Sequence, residues 1–177
     1  MTNSQIFSIL RPIIMTVTGV PECILADPNA PSPVGPYASV RIRQAIRERG
    51  QANITISDLN VTREVRYDIR AQIICDVNVE FWRGNAMEYA EKLKECHKRP
   101  DVPWILKRAR LGWGGSDAIN NLTALQSANF EQRAQMTVKL MYESTSIVDV
   151  NRIEQVSVSV ENEKAQTLQS VDVTLST

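Results

Sequence analysis

From Val65 to Phe81 the odd-numbered positions read Val, Tyr, Ile, Ala, Ile, Cys, Val, Val, Phe. The even-numbered positions between them are Arg66, Asp68, Arg70, Gln72, Ile74, Asp76, Asn78 and Glu80. Side chains along a strand alternate between its two faces, so nine apolar residues at every second position specify a β-strand with one buried face. Cys75 lies on that face and reads as a small core residue. At about 3.3 Å per residue the segment spans on the order of 55 Å, well beyond an ordinary strand. Such a strand must either bend across the core or let part of itself project from the domain.

The flanking sequence supplies what this strand needs to pack. Residues 4–18 carry apolar side chains at 6, 9, 10, 13, 14 and 17, the spacing of one buried helical stripe. Asn3 or Ser4 is the expected N-cap, Gly19 and Pro21 the stop, and Pro12 a bend or internal boundary. Glu22–Ala26 suits a short strand, and four prolines between Pro28 and Pro36 make an extended surface loop. Tyr37–Arg43 reads as a strand, with Ala38, Val40 and Ile42 opposite Ser39, Arg41 and Arg43. Residues 44–60 are polar and basic around Gly50 and read as a mobile loop or hairpin. Residues 85–98 fit a helix ended by Pro100 and Pro103, and Trp104–Arg110 a further helical turn or two. Gly112–Gly115 reads as a turn anchored by Trp113.

A second long alternation, Ala134, Met136, Val138, Leu140 and Tyr142, is followed by strands at Asp149–Val160 and Val171–Leu175. Consecutive strands with few helices between them imply α+β. The expected sheet is mostly antiparallel or mixed, flanked by the N-terminal helix and one or two more. The chain reads as a single domain over 1–177, with the mobile loop at about 44–60.

Scarce residues narrow the chemistry. His97 is the sole histidine, so a site needing two histidines from this chain is excluded. Its neighbour Cys96 points about 100° away on a helix, which argues against a Cys–His dyad. Cys23, Cys75 and Cys96 are odd in number and widely spaced, which suits buried thiols in a reducing compartment better than disulfides or zinc. The 20 basic and 20 acidic residues balance, against a protein that lives on nucleic acid by bulk charge. The N-terminal apolar segment is too short and broken to span a membrane and lacks the basic start of a signal peptide. The chain thus reads as soluble and cytosolic.

No motif supplies a catalytic set. Gly112–Gly115 lacks the Gly-Lys-Ser/Thr ending of a phosphate loop, and no Gly-x-Ser-x-Gly elbow occurs. Asp68, Asp76, Glu80 and Glu131 read as ordinary strand and loop charges, although a carboxylate pair formed in space would suit a small hydrolase. Arg41, Arg43, Arg47 and Arg49 would touch phosphate or, more simply, make a solvated edge that discourages unwanted pairing. The expectation is a non-enzyme without cofactor or metal. Charge is uneven: residues 83–111 hold eight basic against four acidic residues, and 143–177 hold two against six. Opposite surfaces of this kind suit contacts between copies.

Two segments bear a resemblance. Pro33–Ile42 reads PVGPYASVRI, and in Leu122–Val158 the run Phe130-Glu131-Gln132-Arg133-Ala134-Gln135 enters a strand. A loop with Asp149 then leads to Ile153-Glu154-Gln155-Val156. This arrangement resembles the neck and tail terminator proteins of tailed bacteriophages, with their aromatic-Glu-x-Arg-Ala and Ile-Glu-x-Val segments. Gly112–Gly115 and the 44–60 segment depart from that pattern. The resemblance implies a structural virion protein assembled in the host cytoplasm: a homohexameric ring that caps the tail tube, and the last sheath ring of a contractile tail. It would end polymerisation, dock the head-completion or connector protein, and pass DNA through its lumen without sequence specificity. Another neck ring, such as a head-completion stopper or tube-like protein, is the alternative. Glu131 and Arg133 become candidates for a fold-stabilising or inter-subunit ion pair, and Arg41, Arg43, Arg47, Arg49, Asp149 and Glu154 for the partner or ring surface.

Overall fold

A computed structural model describes residues 1–27, 31–59, 64–126, 129–153, 155–163 and 167–174. The chain runs α1 (Asn3–Thr18), β1 (Glu22–Leu25), β2 (Tyr37–Glu48), β3 (Asn53–Asp58), β4 (Glu64–Trp82) and α2 (Ala86–Glu95). A 3-10 turn (Cys96–Lys98), α3 (Asp101–Arg108), β5 (Gly112–Ser116), β6 (Asn120–Asn121), β7 (Ala124–Gln126) and β8 (Asn129–Glu131) follow. The last strands are β9 (Arg133–Asn151), β10 (Gln155–Glu161) and β11 (Thr167–Thr174). The main sheet has the order β1-β2-β4-β9-β5, with β3 on β4 and β6 on β9. β1 is parallel to β2, while β2 and β3 on β4, β5 and β6 on β9, β7 on β8 and β10 on β11 are antiparallel. The fold is α+β, as the element order implies.

The described residues form two compact units. Unit 1 comprises Met1–Gln51 and Ala71–Ser144, and unit 2 comprises Ala52–Arg70 and Thr145–Thr177. The 19-residue strands β4 and β9 each contribute a segment to both.

Unit 1 holds the hydrophobic core. Ile6, Leu10, Ile13 and Ile14 of α1 meet Ala90 and Leu93 of α2, Val102 and Leu106 of α3, and the inward rows of the sheet. Those rows are Val77, Val79 and Phe81 of β4 and Ala134, Met136, Val138 and Leu140 of β9. Burying one such side chain stabilises the fold by about 1.5–3 kcal/mol. The cap of α1 is Thr2, not Asn3 or Ser4: Gln5 N–H donates to Thr2 Oγ1 at 3.3 Å, and Thr2 N–H to Gln5 Oε1 at 2.8 Å. The helix continues past Pro12 and ends at Gly19, whose φ of +79° lets its N–H reach the Met15 carbonyl at 2.9 Å.

Three expectations are corrected. Of residues 44–60, those described, 44–59, are largely strand: β2 extends to Glu48, and β3 follows after a short turn, each pairing with β4. Gly112–Gly115 is not a turn but most of β5, an edge strand whose register on β9 shifts between Trp113 and Ser116. Glycine leaves room at the irregularity: a Cβ on Gly114 would sit 3.2 Å from the Lys139 carbonyl oxygen, a tight contact. Asp149 lies inside β9 rather than in a loop.

Unit 2 contains β3 against the first part of β4, the end of β9, and the β10–β11 hairpin. In the hairpin Val156 opposes Val173 and Val158 opposes Val171, so the valines share one face. All described side chains of its two strands are exposed.

Candidate functional site

The two segments that carry the resemblance meet on the face of the sheet opposite the core. Because β2 and β4 pair in register, Tyr37 lies across from Trp82 and Ser39 across from Glu80. Tyr37 and Trp82 stack with their ring centroids 5.8 Å apart and planes 3° apart. Arg133, the first residue of β9, lays its guanidinium over Trp82 at 3.6 Å from the ring centroid. The same side chain reaches Glu80 at 3.5 Å, and Glu80 also accepts from Asn78 at 3.0 Å and Gln135 at 3.2 Å. Burial raises the Tyr37 phenol above its ordinary value, with Arg83 partly opposing the shift.

Arg83 is the node. It follows β4 in the left-handed region at φ 64°, and Gly84 continues the turn at φ 56°. Its Nε donates to Glu131 Oε1 at 2.9 Å, and its Nη1 donates to the carbonyls of Pro33 and Val34, each at 2.7 Å. Its backbone N–H donates to the Gln132 carbonyl at 2.7 Å. One residue therefore ties the proline-rich approach to the start of β9. A Cβ on Gly84 would come within 3.0 Å of Pro36 Cγ, so the same turn packs directly on the proline-rich segment. Beside it, Val34 and Phe130 are 93% and 75% exposed. The cluster is an anchored base with an apolar rim.

The structure thus separates Glu131 from Arg133: the former pairs with Arg83, the latter with Glu80. Each is held by a partner distant in sequence on the adjacent β4 end, which strand register brings closer than its neighbour two positions away. Of the arginine group, Arg41 pairs with Asp27 at 3.1 Å and Arg47 grips both oxygens of Asp76 at 2.9 and 3.1 Å. Arg43 donates to the Met1 carbonyl and lies 5.6 Å from the centroid of Tyr142. Arg49 donates its backbone N–H to Gln72 at 2.8 Å and approaches Met141 Sδ at 3.9 Å. Asp149, in unit 2, takes both guanidinium arms of Arg66 at 2.8 and 2.9 Å, which holds its carboxyl below the usual range. Glu154 lies outside the described residues.

Sequence reasoning missed Arg83, Trp82 and Glu80 as members of the site. An arginine between a long alternating strand and a glycine was the available signal for Arg83. The carboxylates weighed as a hydrolytic pair each hold an arginine: Asp68 with Arg70, Asp76 with Arg47, Glu80 with Arg133 and Glu131 with Arg83. Cys96 is fully buried, and that burial pushes its thiol up to about 12, while His97 is exposed and stacks on Trp113 at 6.0 Å. Among the described residues no three of His, Cys, Asp and Glu converge as a metal site, and no helix is long and apolar enough to cross a membrane.

No curated protein matches the chain. The family model described as phage neck terminator protein matches residues 4–164.

Proposed function

The chain belongs to the phage neck terminator protein family, whose members are structural proteins of the virion neck, and from that premise we propose that it closes the head-proximal end of the tail. Six copies form a ring that caps the tail tube, and the last sheath ring where the tail is contractile. The ring ends tube polymerisation, offers its other face to the head-completion or connector protein, and lets DNA pass through its lumen. It performs no catalysis and needs no cofactor. The chain acts as one domain in that ring.

The observation that carries this reading is the joining of the two resemblance segments, both inside the matched residues, around Arg83 on one sheet face. The exposed side chains of Val34 and Phe130 at that anchored base suit a contact with a neighbouring virion protein. The test is a cryo-electron-microscopy reconstruction of the particle at the head–tail junction. The expected result is six copies in one ring between tube and connector. Twelve copies at the portal, or a position within the connector, would replace the terminator by a stopper or another connector ring. Absence of the chain from the particle would overturn the virion role.

A further inference from the structure

The valines of the β10–β11 hairpin are an unusual surface for a protein in water. Val156, Val158 and Val160 of one strand and Val171 and Val173 of the other are each between 46% and 59% exposed. An isolated two-stranded hairpin is marginal, and an exposed apolar patch of a few hundred Å² or more marks an interaction site. Glu161 and Glu163 stand at the turn end of this hairpin, exposed and without a salt bridge among the described residues.

A surface of the opposite character lies on unit 1. An open groove of about 570 Å³ runs beside α3 and the start of β5, lined by His97, Pro103, Leu106, Lys107, Arg110 and Trp113. On α3 next to it, Trp104 and Ile105 are 59% and 43% exposed. Lys107, Arg108 and Arg110 form no salt bridge among the described residues. Most of the groove's lining lies in residues 83–111, with eight basic and four acidic residues, and the hairpin lies in 143–177, with two and six.

We propose that the valine face of the hairpin in one copy docks into the α3 groove of a second copy, with Glu161 and Glu163 meeting Lys107 and Arg110. Both surfaces are apolar at the centre and oppositely charged at the edge, the arrangement that fixes register between partners. DNA would suit the basic groove but not a hairpin whose described charged residues, Glu161, Glu163 and Asp172, are all acidic, whereas a second copy accounts for both surfaces at once. The two patches differ, so the contact is heterologous, and repeated around an axis it closes a ring. This inference rests on the ring reading above and names the contact that closes it.

The test uses the full chain with two charge-reversed variants, Lys107→Glu/Arg110→Glu on the groove and Glu161→Lys/Glu163→Lys on the hairpin. Native mass spectrometry and sedimentation velocity read assembly over a concentration series, and circular dichroism checks that each variant is folded. Each variant alone should need about tenfold or more protein to assemble than the wild type, because like charges meet at every contact. An equal mixture should recover wild-type assembly, since each copy then finds its complement in the other. Rescue by mixing is available only to a contact between copies, and a variant that had failed to fold would not give it. Variants that assemble alone like the wild type, or that stay apart even when mixed, overturn the proposal and leave a ring closed by other surfaces. A wild-type chain that never assembles, in solution or on tail tubes, overturns the ring itself.

Discussion

β9 changes character along its own length. From Ala134 to Tyr142 every second residue is buried, whereas Ile147, Val148 and Val150 are 60%, 44% and 43% exposed. The same contrast separates the two units: the whole buried cluster, from Ile6 to Tyr142, belongs to unit 1, and the valine face of β10 and β11 belongs to unit 2. Alternation marks the hairpin, at Val156, Val158 and Val160, as regularly as it marks Ala134 to Tyr142. It specifies which face of a strand is apolar and says nothing about what covers it. In unit 1 the cover is α1, α2 and α3. Unit 2 has no helix among its described residues, and much of its apolar surface is exposed.

The contrast is open to direct attack. All three cysteines are buried in unit 1, and burial pushes the Cys23 and Cys96 thiols up to about 12. At pH 8 their thiolate population falls by roughly a thousandfold relative to an ordinary thiol, so alkylation should wait for unit 1 to unfold. Labelling followed by mass spectrometry checks this, and rapid modification of the native protein would break the picture of a closed unit 1. Next in size, Phe81→Ala should cost about 3–5 kcal/mol in urea unfolding, whereas Val158→Ala should cost no more than about 0.5 kcal/mol. Equal losses would show that the hairpin is covered in the isolated chain after all.

Smaller effects sharpen the account of the site. Arg83→Ala should destabilise unit 1 by about 1–3 kcal/mol, and Arg83→Lys should recover only part, since an ammonium cannot span a carboxylate and two carbonyls as the planar fork does. Thermal melts of both variants give the ranking. Gly84→Ala should cost about 1–2 kcal/mol, through its positive φ and the approach to Pro36, by the same measurement. The slightest effect belongs to unit 2. Asp149 has a depressed carboxyl in the folded state, so its contribution is present above the ordinary carboxylate range and disappears as pH falls through the lower folded value. Protection of the β9 end against hydrogen exchange, taken relative to the intrinsic rate at each pH, should fall between pH 6 and pH 2 in the wild type and change little in Asp149→Asn.

The parts of the fold legible in the sequence are those whose signal is local. The stripe from Ile6 to Ile14 and the alternations at Val77–Phe81 and Ala134–Tyr142 needed only their own periodicity. β3 left a short trace, Ile54 and Ile56 alternating with Thr55 and Ser57, which the charged residues before it overshadowed. β5 left none: whether Gly114 bends a turn or admits a bulge depends on the Lys139 carbonyl across the sheet. The site divides in the same way. Glu131 and Arg133 stood out within their segment, but their partners Arg83 and Glu80 are far away in sequence, and only strand register joins them. The charge imbalance between 83–111 and 143–177 was visible from the start. The surfaces that carry it, a groove beside α3 and a hairpin, required the fold.

The position of β9 in the sheet also sets an order of events during synthesis. β4 lies between β2 and β9, and β9 leaves the ribosome only after α2, α3 and β5 have been made. Until then one edge of β4 has no strand to pair with, and the helices that cover its Val77–Phe81 face lack the Ala134–Leu140 row beside it. Long-range pairing of this kind is slow and leaves an aggregation-prone edge open while it waits. A chain truncated before Arg133 would keep its helices and most of its strands in sequence, yet lack the strand that closes the sheet. Stable folded chains therefore accumulate only after nearly the whole core has been translated.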